Sequence, residues 1–285
     1  MREPERRIRR KLKSTRNLAA RLRWSLCTQL NTSMNGKDET NWKPPASPDP
    51  SAILHEAVDD ARNGHYALAL TKHNWYHDNA LKHQPSQYGV RLSFALRYWH
   101  ELASKYPPAM NKLHALRETA ANNAIAGIET HESFHDAYAL DRVIGDSNAS
   151  RDLFHQLHEN NPSSAKTVYH IAQPVLVAFG DYDICNQHLD PDTAVDRIIE
   201  LFQFHQNRPS PETDSRFHRE FAENNFRNES ATVIALLAVS DELDMAQNLA
   251  NRILEQWDHK SVRDIIDRAL NGEFPPQREH ERQGA

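Results

Sequence analysis

From Ser51 onward, apolar residues return every three or four positions, and the strict alternation that marks a half-buried strand is nearly absent. This period predicts a succession of helices over 51–63, 65–83, 85–105, 108–126, 131–144 and 147–160, continuing over 164–179, 191–207, 211–227, 230–239, 241–258 and 261–270. Pro or Ser opens many of them. Proline's fixed φ and missing N–H suit a first helical turn, and a Ser hydroxyl caps the unpaired amides there. Amphipathic helices joined by short turns hide their apolar faces only by packing on one another, so the pattern predicts stacked helical hairpins.

The first 50 residues follow a different pattern. Residues 2–30 scatter Ile8, Leu12, Leu18, Leu22 and Leu26 among basic residues, a spacing that gives a helix one apolar stripe. They lack the apolar central region of a secretory signal. Residues 31–50 are polar and carry Pro44, Pro45, Pro48 and Pro50, which reads as a linker. The sequence thus divides into a basic leader and linker over 1–50, a helical domain over 51–275 and a polar tail over 276–285. The leader fits an organelle presequence, an arm for nucleic acid or anionic lipid, or translated upstream sequence ahead of a start at Met34, and its plainest reading is such a start-site artefact or a solvated tail.

Charge sharpens that division. The net charge of −5 hides eight Arg and two Lys against two Glu within residues 2–23. The leader alone is therefore strongly positive and the remainder strongly acidic. A body of that sign does not concentrate the Lys and Arg that phosphate contacts need, so no nucleic-acid partner is expected for it. The longest apolar run, Ala231 to Val239, is about half of a membrane span, so no transmembrane segment is expected. Cys27 and Cys185 make neither a disulfide framework nor a zinc cage, and a reducing, cytoplasmic setting is the simplest expectation.

A repeat is legible between His131 and Ser164: Phe134, then Ala137 and Tyr138, Gly145 at a turn, then Ser150, Phe154, Leu157 and Pro162. This order resembles a tetratricopeptide repeat. The family's Gly-x-Tyr turn recurs at Gly64-His65-Tyr66 and at Gly180-Asp181-Tyr182, and a weaker match follows Ser240-Asp241 with Ala246, Ala250 and Ile253. Tyr138 and Asp141 depart from the family pattern, and Pro174 interrupts what would be a first helix. The resemblance implies an all-α, right-handed solenoid of stacked hairpins whose first helices line a concave groove. It further implies that Glu132, His135 and Arg142 in one unit, and Lys166, Tyr169 and Gln173 in the next, face that groove and hold a protein or peptide ligand by charge and hydrogen bonds.

Three constellations carry possible chemistry. His131-Glu132-Ser133-Phe134-His135 fits the H-E-x-x-H of zinc hydrolases, with two imidazoles on one helical face and Glu132 as the base for a zinc-bound water. Against it, Tyr138 stands where one branch of those enzymes turns on Gly. Asp141 would then continue along the helix, out of reach of the same metal, and no sheet is predicted to bind substrate as an added strand. The second is His73, Trp75, His77, Asn79 and Arg91, a possible polar and aromatic pocket with two His one turn apart. Trp75, Tyr76, Phe94 and Trp99 read equally as core wedges. The third, His135, Asp136, Asp141 and Arg142, reads as a charged network between helices. No Gly-rich phosphate loop, nucleophile elbow or kinase signature is present. The expected function is a binding scaffold with no catalysis, cofactor or metal of its own, contacting its partner through Arg91, Glu132, His135, Arg142, Lys166, Tyr169 and Gln173. A zinc-dependent hydrolase using the motif at 131–135 is the alternative.

Overall fold

The computed structural model of the protein describes residues 41–207 and 212–276. The basic leader and nearly all of the polar tail lie outside the described residues. Every regular element among them is helical, comprising thirteen α-helices and one short 3-10 turn. No described helix is long and apolar enough to cross a membrane. Within the span 51–275, packing separates two compact units, one ending at Gln87 and the other beginning at Tyr88.

The first unit is the hairpin of α1 (Pro50–Arg62) and α2 (Tyr66–His83), followed by the 3-10 turn Pro85–Gln87. Asp49 caps α1 by accepting the Ser51 amide at 2.9 Å, and Pro50 occupies the first turn. Gly64 reverses the chain at φ 84°, a conformation that costs glycine little because it has no Cβ. Ile53, Leu54 and Ala57 of α1 and Ala69, Tyr76 and Ala80 of α2 are buried. Polar groups are matched inside the hairpin: the Lys72 ammonium lies 2.7 Å from Glu56 and 2.8 Å from Asp60. The Tyr76 hydroxyl donates to Gln87 at 2.8 Å, and the Gln87 amide donates to Ser51 at 3.0 Å.

The second unit holds α3 (Tyr88–Arg91), α4 (Phe94–Ala103), α5 (Pro107–Ala126), α6 (Thr130–Ile144), α7 (Ser147–Asn160) and α8 (Pro162–Ala178). It continues with α9 (Tyr182–His188), α10 (Pro191–Asn207), α11 (Glu212–Val239), α12 (Leu243–Gln256) and α13 (Lys260–Leu270). Packing is local in sequence. Most helices touch the next one, and several touch the next but one: α4 packs on α6, α5 on α7, α6 on α8, α9 on α11, α10 on α12 and α11 on α13. The core of α5 to α9 gathers Ala124, Phe134, Ala137, Phe154, Val168, Ala172 and Leu176, and that of α10 to α13 gathers Val195, Phe202, Phe226, Ile234, Ile253 and Ile266. Ala124, Ala137 and Ala172 are fully buried, and their small side chains let helix backbones approach. Phe154 meets Phe134 edge-on with ring centroids 6.2 Å apart, and burying a ring of this size stabilises by about 3 kcal/mol.

Three elements depart from the sequence pattern. The helix expected over 85–105 is broken into a 3-10 turn, α3 and α4, because Ser93 leaves helical geometry at φ −133° and ψ −89° and its hydroxyl bonds back to the Gly89 carbonyl at 2.6 Å. The separate helices expected at 211–227 and 230–239 are one helix, α11. No Gly or Pro interrupts residues 227–230, and Ser230 is fully buried within the helix instead of capping a new one. Helix α9 had no periodic signal because seven residues cover only two turns.

Candidate functional site

The polar face formed by α6 and α8 is built from the first helix of the legible repeat and the helix that follows that repeat. Glu129, at φ 42°, precedes α6, and Ser133 anchors its first turn by donating to the Ile128 carbonyl at 2.8 Å. Phe134, Ala137 and Leu140 turn into the core. The same 3.6-residue period leaves His131, Glu132, His135 and Arg142 outside it. The His131 and His135 rings stand one turn apart with centroids separated by 6.3 Å. Helix α8 adds a residue that the sequence pattern did not single out: the His170 ring lies beside His131, centroids 5.3 Å apart and Nε2 atoms 3.4 Å apart. Four residues later, Pro174 lacks the amide hydrogen that would bond the His170 carbonyl.

Helix α3 braces this face. The Tyr88 hydroxyl and His135 Nδ1 share a hydrogen bond of 2.9 Å. Arg91 grips Asp136 with two guanidinium nitrogens at 2.5 and 2.7 Å, a bidentate geometry that fixes both side chains. Burial lowers the His135 pKa, with the nearby His131 adding to the effect. Burial, Arg197 and His131 together lower that of His170 to about 4. Burial and then Asp136 push the Tyr88 phenol up. At neutral pH His135 and His170 are therefore uncharged imidazoles.

The residues singled out by the sequence fall into three groups. Glu132, Arg142 and Lys166 are exposed. Glu132 stands 3.6 Å from His131 Nδ1, and the Arg142 guanidinium lies 6.0 Å from the Tyr138 ring centroid. His135 and Arg91 are half-buried and engaged with Tyr88 and Asp136. Tyr169 is buried in the core, its ring stacked on His188 and its hydroxyl accepting from Gln173 at 3.2 Å. The aromatic body of Tyr169 made its burial more favourable than the groove position that the repeat resemblance implies, and Gln173 is tied up with it. The structure thus brings Glu132, His135 and Arg142 onto one helix face and adds His131 and His170 to it. A helical period drawn across α8 could have placed His170 on the same side as Lys166.

Asp141 is not beside the two His of the motif. It is buried at the end of α6, accepting from Arg117 at 2.7 and 3.0 Å and from Ser150 at 2.8 Å. Among the described residues, no group of three His, Cys, Asp or Glu side chains is placed to hold a metal ion. In the first unit His73 is buried and His77 pairs with Asp78, while Trp75 stacks on His83. Of the aromatics read as core wedges, Tyr76 and Trp99 are buried and Phe94 is half exposed.

No family model matches the chain, and comparison with curated proteins and with solved structures finds no match.

Proposed function

We propose that the protein is a helical-repeat binding scaffold of the tetratricopeptide-like kind, a right-handed α-solenoid that takes an acidic peptide segment of a partner along the α6 and α8 face. The observation that carries this reading is the set of cationic side chains beside imidazoles held neutral on helices that pack side by side: exposed Arg142 acts on His135 of α6, and Lys166 is exposed on α8. Arg197 of α10 adds positive charge to the same surroundings, since its field acts on His170. Such a face offers cations and hydrogen-bonding groups to carboxylates, and it does so on rigid helices that lose little freedom on binding. The i to i+2 packing of helices and the left-handed glycines at the Gly64, Gly145 and Gly180 turns support the repeat architecture. Fold alone does not define the partner, so the chemistry of this face carries the reading.

The test is selection of a random peptide display library on the full chain, followed by affinity measurement of the enriched peptides by fluorescence polarisation. Acidic peptides should dominate, and Arg142→Glu with Lys166→Glu should weaken them at least tenfold. A matched reversal on α13, Arg263→Glu with Arg268→Glu, should leave them unchanged. No enrichment, or equal losses from both pairs, would sink the reading.

A further inference from the structure

Three of the eight glycines follow an asparagine. Asn35-Gly36 lies outside the described residues. The other two pairs end helices, Asn63-Gly64 after α1 and Asn271-Gly272 after α13. Their backbones are nearly alike: Asn63 stands at φ −83° and ψ 0°, Asn271 at φ −92° and ψ 11°, and the glycines at φ 84° and 80°. Their intrinsic chemistry is also alike. A glycine carries no Cβ beside its amide nitrogen, so that nitrogen closes more readily on the asparagine side-chain carbon than any other residue's would. What separates the two sites is their surroundings.

Three observations separate them. The Gly64 amide donates to the Ala61 carbonyl at 3.4 Å, beyond the ordinary range of about 2.7–3.2 Å, whereas the Gly272 amide donates to Ala269 at 2.9 Å. The Asn271 side-chain amide is anchored on the Asp267 carbonyl at 2.8 Å, while the exposed Asn63 side chain makes no hydrogen bond among the described residues. Space differs as well: a Cβ on Gly64 would meet nothing within 4 Å, and one on Gly272 would meet Val239 Cγ1 at 3.1 Å. The next amide is bonded at both sites, His65 to Asp60 at 2.9 Å and Glu273 to Arg268 at 3.1 Å, so each turn must open before a ring can close. Opening at Asn63 then gives up no side-chain anchor and meets open space.

We propose that Asn63 is a site of spontaneous deamidation, with water as the only co-reactant. The Gly64 amide nitrogen, having lost its proton to solvent base, attacks Asn63 Cγ. A new N–Cγ bond forms, the bond from Cγ to the side-chain nitrogen breaks, and ammonia leaves. Water then opens the cyclic imide. Cleavage of the new N–Cγ bond leaves aspartate at position 63, whereas cleavage of the original peptide C–N bond leaves isoaspartate, with the main chain routed through Cγ. One water is consumed for each ammonia released, and nothing is oxidised or reduced.

Both products place a carboxylate at the C-terminal end of α1, where the helix dipole disfavours an anion, four residues after Asp59. Isoaspartate also adds one atom to the backbone of the turn between α1 and α2. The modification therefore loosens the first hairpin slowly and without an enzyme. It concerns the first unit alone and does not rest on the peptide-binding reading.

The experiment is incubation of the full chain at pH 6 and pH 8, native and in guanidinium chloride, with peptide mapping by mass spectrometry at Asn63 and Asn271. In the native chain Asn63 should convert at least tenfold faster than Asn271, faster at pH 8 than at pH 6, and give isoaspartate together with aspartate. Unfolding should release Asn271 and largely close the gap. No conversion of native Asn63, or equal native rates at the two sites, overturns the proposal. A gap that persists undiminished in guanidinium chloride overturns its structural basis, and aspartate without isoaspartate overturns ring closure in favour of direct amide hydrolysis.

Discussion

The guanidinium of Arg117 on α5 grips the carboxylate of Asp141 on α6 through two hydrogen bonds, Nε to Oδ1 at 2.7 Å and Nη2 to Oδ2 at 3.0 Å, while Ser150 on α7 donates to the same carboxylate at 2.8 Å. Three consecutive helices are thereby joined at one buried group. Burial dominates its titration: despite both donors, the Asp141 carboxyl is held above its ordinary range. The desolvation cost of a buried pair is large, so its removal as a unit costs less than breaking it.

That asymmetry can be measured. Asp141→Ala leaves a half-buried guanidinium without its partner and should lower stability by about 3 kcal/mol. The double replacement Asp141→Leu with Arg117→Met should cost less than Asp141→Ala alone. Urea denaturation of the wild type, of Asp141→Ala and Arg117→Met as single variants and of the double variant gives the comparison. A double variant less stable than either single one would show that the pair contributes more than its desolvation removes.

His73 on α2 is almost completely buried, and burial lowers its pKa to about 4 from 6.5. The folded chain resists protonation there, while the unfolded chain takes up a proton below pH 6.5. Stability from this residue is therefore complete above pH 6.5 and is lost as pH falls toward 4, by about 3 kcal/mol at most. His73→Leu should flatten that part of the pH dependence, measured as urea midpoints from pH 7.5 down to pH 4.

Gly145 and Gly180 turn the chain at φ 85° and 74°, and a Cβ at either would meet no atom within 4 Å. Substitution by Ala therefore costs backbone strain and no clash. Each of Gly145→Ala and Gly180→Ala should lower stability by about 1 kcal/mol, with the helix content by circular dichroism unchanged.

Cys185 on α9 is fully buried, and burial pushes its thiol up to about 12. The thiolate is the reactive form, so native Cys185 should resist iodoacetamide at pH 8 and alkylate promptly in urea. Peptide mapping by mass spectrometry follows this residue specifically. Rapid native labelling would mean that α9 opens readily from α8.

Much of the helical architecture was legible because it rests on local chemistry. The period of Phe134, Ala137 and Leu140 fixes the buried face of α6, and glycines mark the turns at Gly64, Gly145 and Gly180. Even the failures were local in cause: Ser93 breaks a helix through its own hydroxyl, and the 227–230 segment continues one for want of a breaker. The site was only half legible. Spacing put His131, Glu132 and His135 on one face of one helix, but period says nothing of which helix packs alongside.

The sequence by itself therefore determined the helices, their buried stripes and most of their ends, because each follows from backbone preference and apolar spacing within a few residues. Tertiary structure alone decided that His170 meets His131, that Arg91 is consumed by Asp136, that Tyr169 is core and that Asp141 joins Arg117 and Ser150. These pairings link residues 9 to 45 positions apart. At such separations the partner is chosen by which helices share a packed seam, a quantity that no local period contains.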